Sequence, residues 1–209
     1  MNFYDCNTAP SPRRVRIFLK EKGLELPTIQ VDLRHGEHLG DAFKKINPYC
    51  TVPVLELDDG TRLTNTHGIW RYLEETHPEP ALMGRTAREK ALIADWEWRM
   101  ERDGFDAAGE ALRNSAPGLK DRALTGPVNY AQIPALAERG RARAERFLGD
   151  LDALLADRPF IAGPTYSVAD ITAFVSVDFI GWIKLKIPDG ARHLRRWYEA
   201  VKARPGSVS

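Results

Sequence analysis

Ile46-Asn47-Pro48-Tyr49-Cys50-Thr51-Val52-Pro53-Val54-Leu55-Glu56-Leu57, followed by Asp58-Asp59-Gly60 and then Thr64-Asn65-Thr66, decides the fold of this chain. A proline cannot donate to a β-ladder, so Pro53 belongs at the entrance of the strand Val54 to Leu57, where an X-Pro bond is readily held cis. That arrangement exposes the backbone of Val52 to an extended, peptide-like ligand. Thr64-Asn65-Thr66, at the start of the next helix, offers hydroxyls, an amide and free N–H groups to a carboxylate. A small acidic peptide is the expected guest.

Working outward, residues 1 to about 77 alternate strand and helix patterns. Phe3 to Cys6 is a short strand. A helix is expected from Ser11-Pro12 through Lys22, with Ser11 as N-cap, Pro12 at the first helical position and Gly23 as terminator. Thr28 to Val31 is a second strand, and the loop His35-Gly36-Glu37-His38 leads to a short helix over Asp41 to Ile46. Val54 to Leu57 and Thr61 to Leu63 pair as a hairpin about Asp59-Gly60, and a helix over Thr66 to Thr76 completes a βαβαββα unit. This order predicts a thioredoxin-like α/β layer of four mixed strands.

His77-Pro78-Glu79-Pro80 breaks the chain, because each proline disfavours helix in the residue before it. The expected organisation is a ligand-binding domain over 1–77, a linker over 78–87 and an all-α domain over 88–209. Arg85 to Arg113, Val128 to Ala156, Ser167 to Ile183 and Ala191 to Arg204 carry apolar residues at spacings of three and four. Ser167 with Asp170 is a capping box shortened by one methylene.

Composition narrows the partners. Thirty basic and 29 acidic side chains in 209 residues leave a net charge of +1, with no general field for nucleic acid or anionic membrane. Two cysteines, Cys6 and Cys50, are too few for a disulfide framework and fit a reducing cytoplasm. The first residues lack a basic region followed by an apolar run, so no signal peptide is expected. The apolar run Ile171 to Ile183 is interrupted by Asp178 and too short to span a bilayer. Asp32, His35 and His38 have a suggestive spacing but no further ligands around them, and no metal is expected.

Taken in order, Arg13-Arg14-Val15-Arg16, Gly36-Glu37-His38-Leu39, Asn47-Pro48, Val52-Pro53, Thr64-Asn65-Thr66 and the segment Phe160 to Ile171 resemble the cytosolic glutathione S-transferases, theta-like and related bacterial members above all. The resemblance spans essentially the whole chain. It implies glutathione as co-substrate and a small hydrophobic electrophile as second substrate. It also implies a homodimer, glutathione pairing with the backbone of Val52 before cis Pro53, and Asn65 and Thr66 at the γ-glutamyl end. Asn65 stands where the family commonly has an acid, and Asp95 or Asp103 of a partner subunit is the candidate source of the missing charge. His38 falls where theta-like members contact the glycine carboxylate.

The resemblance puts Ala9 and Pro12 at the positions of the family's catalytic serine and cysteine, and neither side chain can activate a thiol. Ser11 is the choice for that role, with Thr8 and Asn7 in the preceding turn as alternatives. A carrier of the same fold without turnover, and a glutathione-dependent disulfide reductase or peroxidase, are the rival functions. Trp98, Met100 and Phe105 are candidates for a co-substrate pocket. Cys6 is expected to pack, and Cys50, beside the Val-Pro turn, is a minor candidate for a mixed disulfide with glutathione.

Overall fold

The computed structural model describes residues 1–208, which divide into two compact units. The first comprises Met1–Pro80 with Leu124–Asn129, and the second Ala81–Ala123 with Tyr130–Val208.

The first unit runs β1 (Asn2–Asp5), α1 (Pro10–Glu21), β2 (Thr28–Gln30), a 3-10 turn (Glu37–Leu39), α2 (Asp41–Lys44), β3 (Val54–Glu56), β4 (Arg62–Leu63) and α3 (Thr66–Thr76). The strands order as β2-β1-β3-β4. β1 is parallel to β2 and antiparallel to β3, which is antiparallel to β4. Phe3 pairs with Leu55 and Tyr4 with Val54, so alternate side chains go to opposite faces. One face holds a cluster of Tyr4, Cys6, Val31, Phe43, Val52 and Val54. α1 and α3 bury Val15, Ile17, Phe18, Ile69, Trp70 and Leu73, and Phe18 stacks on Trp70 at 6.0 Å.

Their C-terminal ends are joined by a buried lysine. Lys22 Nζ donates to His77 O at 2.8 Å and Pro80 O at 2.6 Å and pairs with Glu74 at 2.5 Å. These are the carbonyls that a helix end and a proline break leave without backbone donors, so the ammonium satisfies what the chain cannot.

α1 departs from expectation at its start. Its N-cap is Ala9, Pro10 occupies the first helical position, and Ser11 the second. Pro10 pushes Ala9 into extended backbone (φ −91°, ψ 135°) and supplies the fixed φ of a first turn, so the helix opens one residue before the serine and two before the expected Pro12.

The second unit is helical: α4 (Ala87–Arg99), a π-helical turn (Met100–Phe105), α5 (Asp106–Ser115), α6 (Pro134–Leu154), α7 (Val168–Trp182) and α8 (Arg192–Lys202). The expected helix Arg85 to Arg113 is thus interrupted. A Cβ at Gly104, inside the π turn, would lie 2.5 Å from the Phe147 ring, so the bare glycine is what lets that ring sit against the helix. The helix expected from Val128 starts at Pro134 instead. Tyr130 bridges to Arg122 there, its O accepting from Ala123 N–H at 3.1 Å and its N–H donating to Asp121 O at 3.0 Å, and Pro134 provides the first-turn φ. Among the described residues no helix is long and apolar enough to cross a membrane.

α7 is buried along most of its length, and its start is held by Asp170. This carboxylate accepts from Ser167 N–H at 3.0 Å, Ser167 Oγ at 3.2 Å, Ile161 N–H at 2.9 Å and Trp197 Nε1 at 2.9 Å. Burial pushes the Asp170 carboxyl up to about 6 while these donors pull the other way, so the group is ionised at neutral pH.

Candidate functional site

The site is built in the first unit from three backbone devices. The first is the turn before β3. Asn47, fully buried, donates from Nδ2 to Thr51 O at 2.8 Å and Thr51 Oγ1 at 3.1 Å, and accepts from Tyr49 N–H at 3.0 Å. Cys50 closes the turn in the left-handed region (φ 54°), its N–H bonding Asn47 O at 3.0 Å. One side chain thus fixes the five residues that deliver the chain to a cis Val52–Pro53 bond. Among the described residues no backbone hydrogen bond involves Val52, although the residue is 8% exposed. An N–H and a C=O at a strand entrance therefore stand ready for an extended ligand.

The second device is the start of α3. Asn65 is its N-cap, with Oδ1 accepting from Gly68 N–H at 2.8 Å, and is itself exposed. Thr66 follows as the first helical residue, buried at 3%. The third device is the start of α1. Ala9, its N-cap, packs on the same apolar cluster as Val52. Ser11 Oγ lies 3.2 Å from Thr66 Oγ1, so the two helix starts touch through a hydroxyl pair.

The loop that leads into α1 is stapled from below. Arg16 pairs with buried Asp5 at 2.6 Å and donates to Cys6 O at 3.3 Å and Asn7 O at 3.1 Å. Gln30 donates to the other oxygen of Asp5 at 2.9 Å and accepts from Asn7 N–H at 3.0 Å. Thr8 Oγ1 stands 3.5 Å from Cys6 Sγ. Asn7 and Thr8 are exposed, and of the three candidate side chains Ser11 is the one bonded to Thr66.

Ser11, Thr66, Asn65, Val52 and Pro53 therefore stand on the three devices. His38 lies apart from them in sequence, half-buried in the 3-10 turn after Gly36, whose φ of 77° favours glycine. His35 Nδ1 lies 2.6 Å from Asp32 Oδ2, and His35 N–H donates to Oδ1 at 3.0 Å, which holds the Asp32 carboxyl below its usual range. Asp32 and His35 are thus engaged with each other. In the second unit Trp98 is exposed, Met100 buried, and Phe105 packs on Phe179 at 5.3 Å.

One residue of this site carried no role in the sequence reading. Arg14, 3% exposed, donates from Nη2 to Ser11 Oγ at 3.2 Å, with its guanidinium over the Trp70 ring at 5.9 Å. The signal was present as the i, i+3 spacing of Ser11 and Arg14, which puts both on one helix face.

Comparisons with known proteins agree with this geometry. Residues 8–76 match the glutathione S-transferase N-terminal domain and 134–200 the glutathione S-transferase C-terminal domain. Glutathione S-transferase 2 of Saccharomyces cerevisiae is 35% identical over 208 residues, covering 98% of this chain and 87% of the yeast protein. A crystal structure of a glutathione S-transferase domain-containing protein from Marinobacter aquaeolei superposes with a TM-score of 0.91 at 36% identity, over 99% of this chain and 100% of the other. The fold is shared also with a glutathione transferase homolog from sulfitobacter solved with bound glutathione (TM-score 0.81, 17% identity, 99% and 94% coverage). On the match of both domains and on the identity with the yeast protein over almost the whole length, the chain belongs to the glutathione S-transferases.

Proposed function

We propose that this protein binds glutathione along the Val52–Pro53 edge and activates its thiol for attack on a hydrophobic electrophile. The observation that carries this reading is the unpaired backbone of Val52 in the same unit as the Ser11–Thr66 hydroxyl pair. Val52 pairs with the peptide backbone of glutathione. Asn65, Thr66 and the first N–H groups of α3 receive the γ-glutamyl carboxylate, and His38 the glycine carboxylate. The Ser11 hydroxyl donates to the sulfur.

Lowering a thiol pKa of about 8.5 by two units takes about 2.7 kcal/mol of preference for the thiolate. A hydrogen bond to a charged group contributes about 1.5–3 kcal/mol and a helix start about 0.3–2 kcal/mol. Pro10 and Pro12 remove two N–H donors from the first turn of α1, so the hydroxyl bears the larger share. The thiol proton passes to solvent. The thiolate then forms a C–S bond as the bond to the leaving group breaks and its electron pair departs with that group.

Ser11→Ala tests this. The bound thiol, titrated by its thiolate absorbance, is expected to rise in pKa by about 1–2 units. Conjugation at saturating glutathione below pH 7 is expected to fall at least tenfold. An unchanged bound-thiol pKa and rate would remove Ser11 from the mechanism and turn attention to Thr8 and Asn7. The donor-poor start of α1 favours a second reading, a carrier that binds glutathione without turnover. Wild-type protein that binds glutathione with an unshifted thiol pKa would establish it.

A further inference from the structure

The second unit carries a cavity of about 370 Å³, lined by α6, α7, α8 and the loop that joins α7 to α8. Every residue that lines it belongs to that unit, whereas the three backbone devices stand in the first. Its size lies within the roughly 300–1,000 Å³ of small-molecule sites. Leu148, Val177 and Ile180, all buried, make an apolar floor, and Leu185 and Ile187 add apolar wall from the loop.

The end of α7 holds this space open. Gly181 lines the cavity in the last turn of the helix, where glycine is a poor helix former, and a Cβ there would meet nothing within 4 Å. Alanine would suit the helix better, and the missing side chain leaves room beside the floor. Lys184, just past the helix, stands in the left-handed region (φ 62°), a conformation that disfavours lysine far more than glycine. Its N–H donates to Gly181 O at 3.0 Å, and Arg141 Nη1 donates to Ile183 O at 2.6 Å. The chain therefore leaves α7 in a fixed direction and brings Leu185 and Ile187 to the cavity.

The charges that line it are unequally engaged. Asp178 accepts from the Tyr198 hydroxyl at 2.6 Å, a short bond to a carboxylate that also clips α8 to α7. Asp189 is fully exposed and 4.0 Å from Arg195, a contact that contributes little. The other side-chain bond of Arg195 among the described residues is a long one, to Pro188 O at 3.4 Å. Lys186 meets no carboxylate within ion-pair distance among the described residues. One acid is thus engaged and the other turned to solvent, while two cations remain available beside an apolar floor.

We propose that this cavity is a binding site for an amphipathic carboxylate, whose apolar chain or ring lies on Leu148, Val177 and Ile180 beside the bare backbone of Gly181, and whose acid group meets Lys186 and Arg195. The site needs neither glutathione nor the role given to Ser11. An amine of the same shape is the wrong guest, because Asp178 already has its donor in Tyr198.

The experiment is titration calorimetry of the folded protein with octanoate, hexanoate and octylamine, with and without saturating glutathione. Wild type is compared with Gly181→Leu and with the double variant Lys186→Glu/Arg195→Glu. Octanoate is expected to bind about tenfold more tightly than hexanoate, the change that burying two further methylenes brings. Octylamine should bind at least tenfold more weakly than octanoate. Gly181→Leu fills the cavity and should weaken octanoate at least tenfold. The charge reversal should weaken it about tenfold and abolish its salt dependence, and it carries the test if Gly181→Leu does not fold. Glutathione should leave the Kd for octanoate within about twofold in wild type.

No binding of octanoate at millimolar concentration, or equal binding by wild type and both variants, would overturn the site. Octylamine bound as tightly as octanoate would overturn the choice of guest, and with it the inference. Competition between octanoate and glutathione would overturn it as well, by moving the carboxylate to the glutathione edge.

Discussion

The starts of α1 and α7 solve the same problem in opposite ways. Every α-helix begins with N–H groups that have no helical partner. At α7 the protein satisfies that end internally: Val168 N–H donates to Leu82 O and Asp170 N–H to Ser167 O, while the Asp170 carboxylate gathers the N–H groups of Ser167 and Ile161, a hydroxyl and the indole of Trp197, all away from water. At α1 no side chain caps the helix, two of the first three helical residues are prolines, and the one hydroxyl present is shared with Thr66 and Arg14. A fully bonded helix start has nothing left to offer a ligand and contributes stability. An open one contributes little to stability and leaves a donor for chemistry.

The sharpest way to break this contrast is at Asp170. Asp170→Asn turns an all-acceptor group into one that presents an NH2 to donors, and should cost about 2–4 kcal/mol in denaturant unfolding at pH 7, with the activity of the remaining folded protein preserved. A loss of activity larger than the loss of folded protein would mean that α7 is not purely structural. The effect has a sign in pH. The folded carboxyl titrates at about 6, above its unfolded value of 3.8, so its contribution to stability is fullest below about pH 4 and declines as the pH rises to 6. The gap between wild type and Asp170→Asn should therefore narrow over that window.

α3 lies between the two extremes, since Asn65 both caps the helix and faces solvent. Asn65→Ala should lower stability by about 1 kcal/mol and raise KM for glutathione several-fold with little change in bound-thiol pKa. A pure stability loss with unchanged KM would place Asn65 with Asp170 as a structural cap. The smallest expected effect is at the open end itself. Pro10→Ala restores an N–H to α1, worth about 0.3–1 kcal/mol to a nearby anion, and should lower the bound-thiol pKa by a few tenths of a unit. A rise would show that the proline ring, not the missing donor, matters at this position.

The sequence was most legible where local chemistry leaves one solution. A proline opening an apolar strand gave the cis Val52–Pro53 edge, and Ser167 with Asp170 gave the start of α7. It misled where two local rules compete. Ala9-Pro10-Ser11-Pro12 contains a good N-cap residue and two good first-turn residues, and the fixed φ of Pro10 prevailed over the capping preference of Ser11. Long-range packing was invisible. Inside the π turn at Met100–Phe105 the Phe147 ring meets Gly104, 43 residues away in the sequence, and no periodicity within the helix announces it. The ion pairs of Lys22 with Glu74 and Arg16 with Asp5 arise only once α1 is laid beside its neighbours. Charged residues on a helix read by default as a solvated face.

Cys6 and Cys50 are 8% and 1% exposed, one packed in the apolar cluster beside Val52 and the other folded into the turn held by Asn47. The protein thus shields its own sulfur. For the glutathione complex proposed above, reagents that report free sulfhydryls, and the ultraviolet signal of their ionised form, would read the guest against a quiet host.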